Sequence, residues 1–513
     1  MTEPRPQSRA GGRSERKRVR AAGPVENPCP PGQTGGQYRP LADADMQAIF
    51  ETALELLRDP GMGEVPAIVE QAALAQGAFL NDAGRTCFPR ALIEDAIARA
   101  AKTFTLHARD PDRSIEVGGD AVHFGTGGAA VQVLDLETQE YRPSTLRDLF
   151  DFTRLQDRLP NISWFTRCCV ATDMANERDL DINTVFALLK GTTRPVATSF
   201  TLPEHVEPIV RMLDMADDRA GGFVKRPWLK AHVSPVLPPL RYGEDAVAVT
   251  LECLRHNIPL SCITAAMSGG TAPAEPAGFL AQSLADTLAG LMLVHLFKPG
   301  HPMVFSNWPM VIDLRTGAMV GGGAEAALLN AASAQLSNWL GLPSGVASSM
   351  TDSKVLDAQY GLEKASTALA AGLAGGNLIY ESAGMTASLL GVSFEGFVAD
   401  NEIIAMVYRI MRGIEVTPGA LDTDAMRAAI LGDGHFLGGA GTLASMERDY
   451  YYPDLSDRNE PQSWAELGAL DLKDRARARA REMLALPDPE YLAKSAEAKI
   501  RDAFDIRLPE GGA

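Results

Sequence analysis

The sequence predicts an α/β fold, a (β/α)8 TIM barrel with an N-terminal helical and β preface and a C-terminal extension. Strand-like segments alternate with helical ones from residue 131 onward, which is the pattern of a parallel sheet. Eight such units fall within about 280 residues, the size of one such barrel. An open doubly wound sheet is the competing arrangement, but its glycine fingerprint is missing after the first strand. Gly125-Thr126-Gly127-Gly128 has neither the spacing nor the following helix.

Taken in order, the chain opens with a basic tail and a Pro/Gly-rich linker over 1–37. Arg5, Arg9, Arg13, Arg16, Lys17, Arg18 and Arg20 oppose only Glu3 and Glu15 there, without apolar periodicity, so the tail is expected to be disordered. A preface occupies 38–125. Its segment 43–58 has apolar positions at helical spacing with Asp43 as a cap, and a second helix pair runs to about Lys102. The pieces TFTLHA, SIEVGG and AVHFG then read as short strands, with turns at Asp110-Pro111 and Gly118-Gly119.

The barrel is expected over 126–412. Its strand candidates are 131–135, 162–170, 195–200, 228–236, 259–266, 302–308, 344–350 and 377–383. Helical stretches lie near 144–157, 176–190, 203–218, 243–256, 277–298, 323–340, 357–375 and 394–412. The remaining residues, 413–513, form an extension expected to cover the barrel; it contains GDGHFLGG and the charged helix DLKDRARARAREMLAL.

Composition bounds the function. Hydrophobic residues at 46% and charged residues at 22% are those of a soluble globular protein. A fibrous, mainly disordered or membrane-spanning chain is thereby excluded. The least polar stretch, 365–380, is mostly Ala and Gly and too short for a span. A net charge of −17, with +5 on residues 1–20 and so −22 on the rest, argues against nucleic acid as the ligand. Six cysteines without a CxxC are cytosolic thiol usage. With no secretory signal, the expected location is cytoplasmic.

Active groups of a barrel lie at the C-terminal strand ends and in the loops beyond. Strand six offers Phe305, Trp308 and Met310 ahead of Asp313 and Arg315. Aromatic faces beside acids suit a quaternary ammonium, although each ring alone also fits a packed core. The loop after strand seven gathers Asp352, Ser353, Lys354, Asp357 and Gln359. Strand eight ends in Glu381-Ser382 inside the apolar run NLIYESAGM, where a carboxylate must be paired or functional. The eight histidines form no HxH or HxxxH, so no metal site is expected. Asp433, His435 and Gly438 match DxHxxG, with which corrinoid proteins offer a histidine to cobalt. No Rossmann-like strand and helix follow, so the segment reads better as a lid placing His435 near the barrel mouth.

Several segments together resemble the trimethylamine methyltransferase family. They are HFGTGG at 123–128, VLDLET at 133–138, the whole block 316–365, NLIYESAGM at 377–385, DNEI at 400–403, and GHFLG with LSDR further on. The resemblance covers most of residues 38–485. It implies a (β/α)8 barrel that presents a bound methylamine to the Co(I) of a docked corrinoid protein. The corrinoid (cobalamin) would be carried by that partner, with no cofactor bound in this chain.

One departure bears on the substrate. The founding trimethylamine enzymes carry pyrrolysine at the barrel mouth, placed here near 359–361, where this chain has Gln359, Tyr360 and Gly361. Pyrrolysine's proposed role is to capture the amine lone pair. A quaternary ammonium has none, and it leaves as a neutral tertiary amine that needs no proton. The chain therefore resembles the non-pyrrolysine branch, which includes glycine betaine methyltransferases and relatives acting on other betaines.

On this reading Trp308, Tyr360 and Phe305 form a cation cage beside Gln359, with Glu381 as counter-charge. Arg315 or His435 binds the substrate carboxylate. No residue is given a catalytic role, since the nucleophile belongs to the partner. The expected partners are a corrinoid protein, a small quaternary amine and further copies of the chain, with neither nucleic acid nor membrane. Three alternatives stay open: a trimethylamine methyltransferase working without pyrrolysine, a betaine-binding barrel without turnover, and transfer to a different methyl acceptor such as a folate-linked protein.

Overall fold

Eight short strands run parallel through a computed structural model that describes residues 27–217 and 221–510. The basic segment 1–20 lies outside the described residues. The strands are β1 (Ala121–Phe124), β2 (Phe165–Thr166), β3 (Val196–Thr198), β4 (Leu229–Val233), β5 (Leu260–Thr264), β6 (Met303–Asn307), β7 (Ser344–Ala347) and β8 (Leu378–Tyr380). From β2 to β8 each pairs with the next in sequence, and β8 pairs with β1. The sheet curls. Gly125, just beyond β1, bridges Trp164, just before β2, and the Ser163 N–H donates to Phe124 O at 2.8 Å. A Cβ on residue 125 would overlap the Trp164 ring, so glycine permits that approach.

A helix follows each strand, though not always directly: α1 (Leu146–Asp157), α2 (Glu177–Gly191), α3 (Val206–Asp217), α4 (Glu244–Arg255), α5 (Pro276–Phe297), α6 (Ala324–Trp339), α7 (Ala358–Ala374) and α8 (Phe394–Met411). Local chemistry starts several of them. Thr145 and Asp148 form a reciprocal capping box at α1, while Asn176, Asp357 and Ser393 cap α2, α7 and α8. Every residue of β5 and β6 is buried, as strands covered on both faces require. Helix α5 is long and apolar enough to cross a bilayer, but 83% of that stretch is buried in the protein. It packs between β5, β6 and helix Asp43–Arg58, so it is a core helix.

The fold is thus mixed α/β with a curled parallel sheet, as the alternation predicts. One strand is relocated. The expected first strand, 131–135, does not join the main sheet. Gln132–Leu134 pairs with Tyr141–Pro143 and Gly391–Ser393 in a small separate sheet. The first parallel strand is β1, inside the segment expected to belong to the preface. Both stretches carry a strand pattern, and pairing decides between them; Gly128, at φ 96°, turns the chain between the two. The preface hairpin of Thr103–Leu106 and Ile115–Gly118 buries Leu106 and Val117 in the sheet interior with Trp164, Val304, Leu378 and Tyr380.

The extension is also placed differently from expectation. Helix Leu472–Leu484 packs on α8 and α1, and helix Lys494–Ala503 on α3. Arg154 of α1 donates to the carbonyls of Leu484 and Leu486, Lys190 of α2 pairs with Glu497 at 2.8 Å, and Asn183 binds the backbone of Asp505 and Arg507. These residues strap the outer helices instead of covering the strand ends. Their small and apolar positions, Ala476, Ala480 and Ile500, find burial only against helix surfaces. Residues 413–454 differ again: two helices, Thr423–Leu431 and Ala440–Arg448, contribute no buried residue.

Candidate functional site

Strand alternation turns Lys230 and His232 of β4 toward the sheet interior. Lys230 is fully buried. Its Nζ lies 2.8 Å from His232 Nε2 and donates to the Tyr380 hydroxyl at 3.0 Å. The same nitrogen sits 4.5 Å from the Trp164 ring centroid and 4.7 Å from that of Tyr380. Tyr380 shares a short hydrogen bond with Ser261 and meets the Trp164 ring at 4.6 Å and the Trp308 ring at 4.8 Å. Among the described residues no carboxylate pairs with Lys230. Burial pulls its pKa well below the usual lysine range. His232 is lowered too, by burial and then by the charges of Lys230 and Arg167.

His232 also borders a cavity of about 290 Å³ at the carboxyl ends of β3 and β4. Ser199, Thr201, Ser234 and Asp245 supply its polar wall.

Glu381 follows β8 with φ 66°, a left-handed conformation that a non-glycine residue adopts at a cost. Its carboxyl group is fully buried, and no side chain donates a hydrogen bond to either oxygen. A Cβ on Gly127 would come within 2.5 Å of Oε1, and one on Gly128 within 2.7 Å of Oε2, so the two glycines make room for the acid. Burial pushes the pKa of Glu381 up to about 8, against the opposing pull of the Lys364 ammonium and the Gly128 backbone. Lys364 in turn binds Asp400 at 2.7 Å, and Asp400 accepts from the Tyr360 hydroxyl at 2.8 Å and the Gly384 N–H at 2.6 Å.

The residues expected at the site separate into two groups. Trp308 reaches the interior aromatic cluster, and Glu381 follows Tyr380 at the end of β8, two strands away across β7. The others lie elsewhere. Phe305 has the opposite strand parity to Val304 and Trp308, and faces Ala96, Leu291 and His295 on the outer side of β6. Tyr360 is fully buried between α7 and α8, where Asp400 holds its hydroxyl. Gln359 is exposed on the first turn of α7 and bonds Glu363. Arg315 projects into solvent, 87% exposed, at a hairpin tip where Asp313 takes its guanidinium at 2.8 Å. His435 is exposed in the extension. That segment is tied by Arg409 and Arg412 to the last turn of α8, the helix end remote from the strand C-termini.

Sequence reasoning missed Lys230, His232, Trp164 and Tyr380. The available signal was the lysine itself, a charge set inside the apolar strand WLKAHV. Among the described residues no three His, Cys, Asp or Glu side chains gather as metal ligands.

Fold and site together define an α/β protein with a candidate small-molecule site at the carboxyl ends of a parallel sheet. Residues 9–512 match the model of the trimethylamine methyltransferase (MTTB) family. The chain is 28% identical over 486 residues to a glycine betaine methyltransferase of Desulfitobacterium hafniense, covering 94% of this chain and 99% of that one. It is 30% identical over 484 residues to a trimethylamine methyltransferase MttB of the same species, covering 92% and 94%. A solved monomethylamine methyltransferase of Methanosarcina barkeri aligns over 88% of this chain and 95% of its own at 14% identity, with a TM-score of 0.46. The chain belongs to the trimethylamine methyltransferase family.

Proposed function

We propose that the protein moves a methyl group from a quaternary amine, glycine betaine or a related betaine, to the corrinoid of a separate protein. The curled sheet is read as a closed (β/α)8 barrel beginning at Ala121, with a preface before it and a helical strap after it. Support for closure comes from the Gly125–Trp164 bridge. The observation that carries the functional reading is Glu381, a buried acid without a side-chain hydrogen bond or ion pair beside an aromatic-lined interior. A cation entering there supplies the charge that the carboxyl group lacks, and ring faces attract it without hydrogen bonds.

The corrinoid supplies the nucleophile that accepts the methyl group. The chain's own residues bind and orient the substrate and exclude water. As the carbon–nitrogen bond breaks, its electron pair stays on nitrogen, which leaves as a neutral tertiary amine. No acid is therefore required of the protein. Trimethylamine is the competing substrate, favoured by the MttB relatives. We further read the protein as cytoplasmic, in keeping with six free, buried cysteines. We read it as self-assembling through the apolar segment 413–454, where Ile414, Leu431 and Leu437 stand 89%, 77% and 65% exposed.

The test mixes the protein with a reduced corrinoid protein and, in turn, glycine betaine, other betaines and trimethylamine, following the corrinoid's absorbance. Methylation by a betaine is the expected result. Turnover of trimethylamine alone overturns the substrate class, and binding without turnover of any amine overturns the enzymatic reading.

A further inference from the structure

The two side chains expected to hold a substrate carboxylate, Arg315 and His435, are both exposed away from the interior. An amine that does face the interior is Lys230. A buried ammonium without a counter-ion is costly, and the chain offers Lys230 only ring faces, a hydroxyl and an imidazole. With a Lys230 hydrogen directed at Nε2, that atom accepts, so the ring proton of neutral His232 is assigned to Nδ1. His232 is the member of this pair that borders the 290 Å³ cavity. Ser199, Thr201 and Ser234 add hydroxyl donors along its wall, whereas Asp245 at the α4 end adds a negative charge.

We propose that His232, backed by Lys230, binds the carboxylate of a zwitterionic substrate, which narrows the substrate class to betaines. The proposal rests on the methyl-transfer reading above. Trp308 and His232 both flank the Tyr380 ring, at 4.8 and 5.3 Å between centroids. A ligand with its ammonium against Trp308 and its carboxylate at His232 therefore spans one ring. Asp245 disfavours a simple anion and tolerates a molecule that also carries a positive charge. The arriving carboxylate supplies the counter-charge that Lys230 lacks, so binding draws a proton onto the amine. The other ionisable groups are His232 on its own strand and Tyr380 on β8, both bonded to the amine, and Arg167 after β2, whose charge acts on His232.

Titration calorimetry with glycine betaine and with choline, which keeps the trimethylammonium but lacks the carboxylate, tests the clamp. Runs in two buffers of different ionisation enthalpy report proton uptake. Wild-type protein is expected to prefer glycine betaine by at least tenfold and to take up a proton with betaine only. His232→Gln and Lys230→Met are expected to lower betaine affinity tenfold or more and leave choline within twofold. If Lys230→Met fails to fold, His232→Gln decides. A betaine preference that survives His232→Gln, or wild-type binding of both ligands without preference, overturns the clamp alone. Wild-type protein that binds neither ligand overturns the clamp and the methyl-transfer reading together.

Discussion

Lys364 and Asp400 meet at 2.7 Å with both side chains fully shielded from solvent, tying α7 to α8 within electrostatic reach of Glu381. Burial lowers the lysine and raises the aspartic acid, and their mutual attraction opposes both shifts. Removing one partner strands the other charge. Lys364→Met is expected to cost about 3–5 kcal/mol in urea unfolding; a loss below about 1 kcal/mol would show that the pair is dispensable.

Tyr360 belongs to that same network through its hydrogen bond to Asp400. Tyr360→Phe leaves Asp400 one donor short and is expected to destabilise by about 1–3 kcal/mol. Betaine affinity, read by calorimetry, should stay within twofold of wild type. A large affinity loss at unchanged stability would return Tyr360 to the binding site.

Trp308 and Phe305 sit three residues apart on β6 and its end yet serve opposite faces. Trp308→Ala is expected to weaken binding of every quaternary ammonium by at least fivefold, in line with about 1–2 kcal/mol for a desolvated cation–ring contact. Phe305→Ala should lower the unfolding midpoint through a core cavity while the folded fraction keeps its affinity. Equal binding losses in the two variants would contradict the assignment of faces.

Glu381 makes stability depend on pH. Its pKa stands at about 8 in the folded protein against an ordinary 4.5, so between those values the native state holds a proton that the unfolded chain has released. Its contribution therefore falls as pH rises through this window and levels off above it. Glu381→Gln should gain stability over wild type progressively from pH 5 to pH 8. Urea midpoints that differ by a constant amount across that range would be inconsistent with a buried, unpaired acid.

The exposed apolar residues of the extension predict assembly. Ile430 and Leu437 are 63% and 65% exposed, more than a folded chain leaves open without purpose when clustered. The double variant Ile430→Asp, Leu437→Asp should sediment as a smaller species than wild type with unchanged circular dichroism. Identical sedimentation, whether as monomer or oligomer, would remove this segment from any interface.

Much of the architecture is legible in the sequence because parallel strands buried on both faces read as short apolar runs between amphipathic helices. The first strand is not, since AVHF and QVL carry the same local pattern and differ only in what they pair with. Trp308 and Glu381 are legible as strand-end residues. Phe305 and Val304 are neighbours of opposite parity, and a one-residue choice of face moves a ring from the interior to the helix layer. Tyr360 is hidden by its partner, because Asp400 lies 40 positions away and only the packing of α7 on α8 joins them. Lys230 escapes notice because a lone lysine in a strand is ordinarily an edge residue, and its two rings, Trp164 and Tyr380, come from the ends of two other strands.

The strap of residues 472–508 has a consequence for how the molecule is made. It crosses from α8 to α1 and on to α2 and α3, joining the last βα unit to the first three. Those units emerge from the ribosome long before the segment that fastens them. The seam between the last βα unit and the first three thus stays unfastened until the strap itself has been synthesised. A chain ended before Leu472 should retain its helices by circular dichroism but be cut by protease near α1 and α8 first.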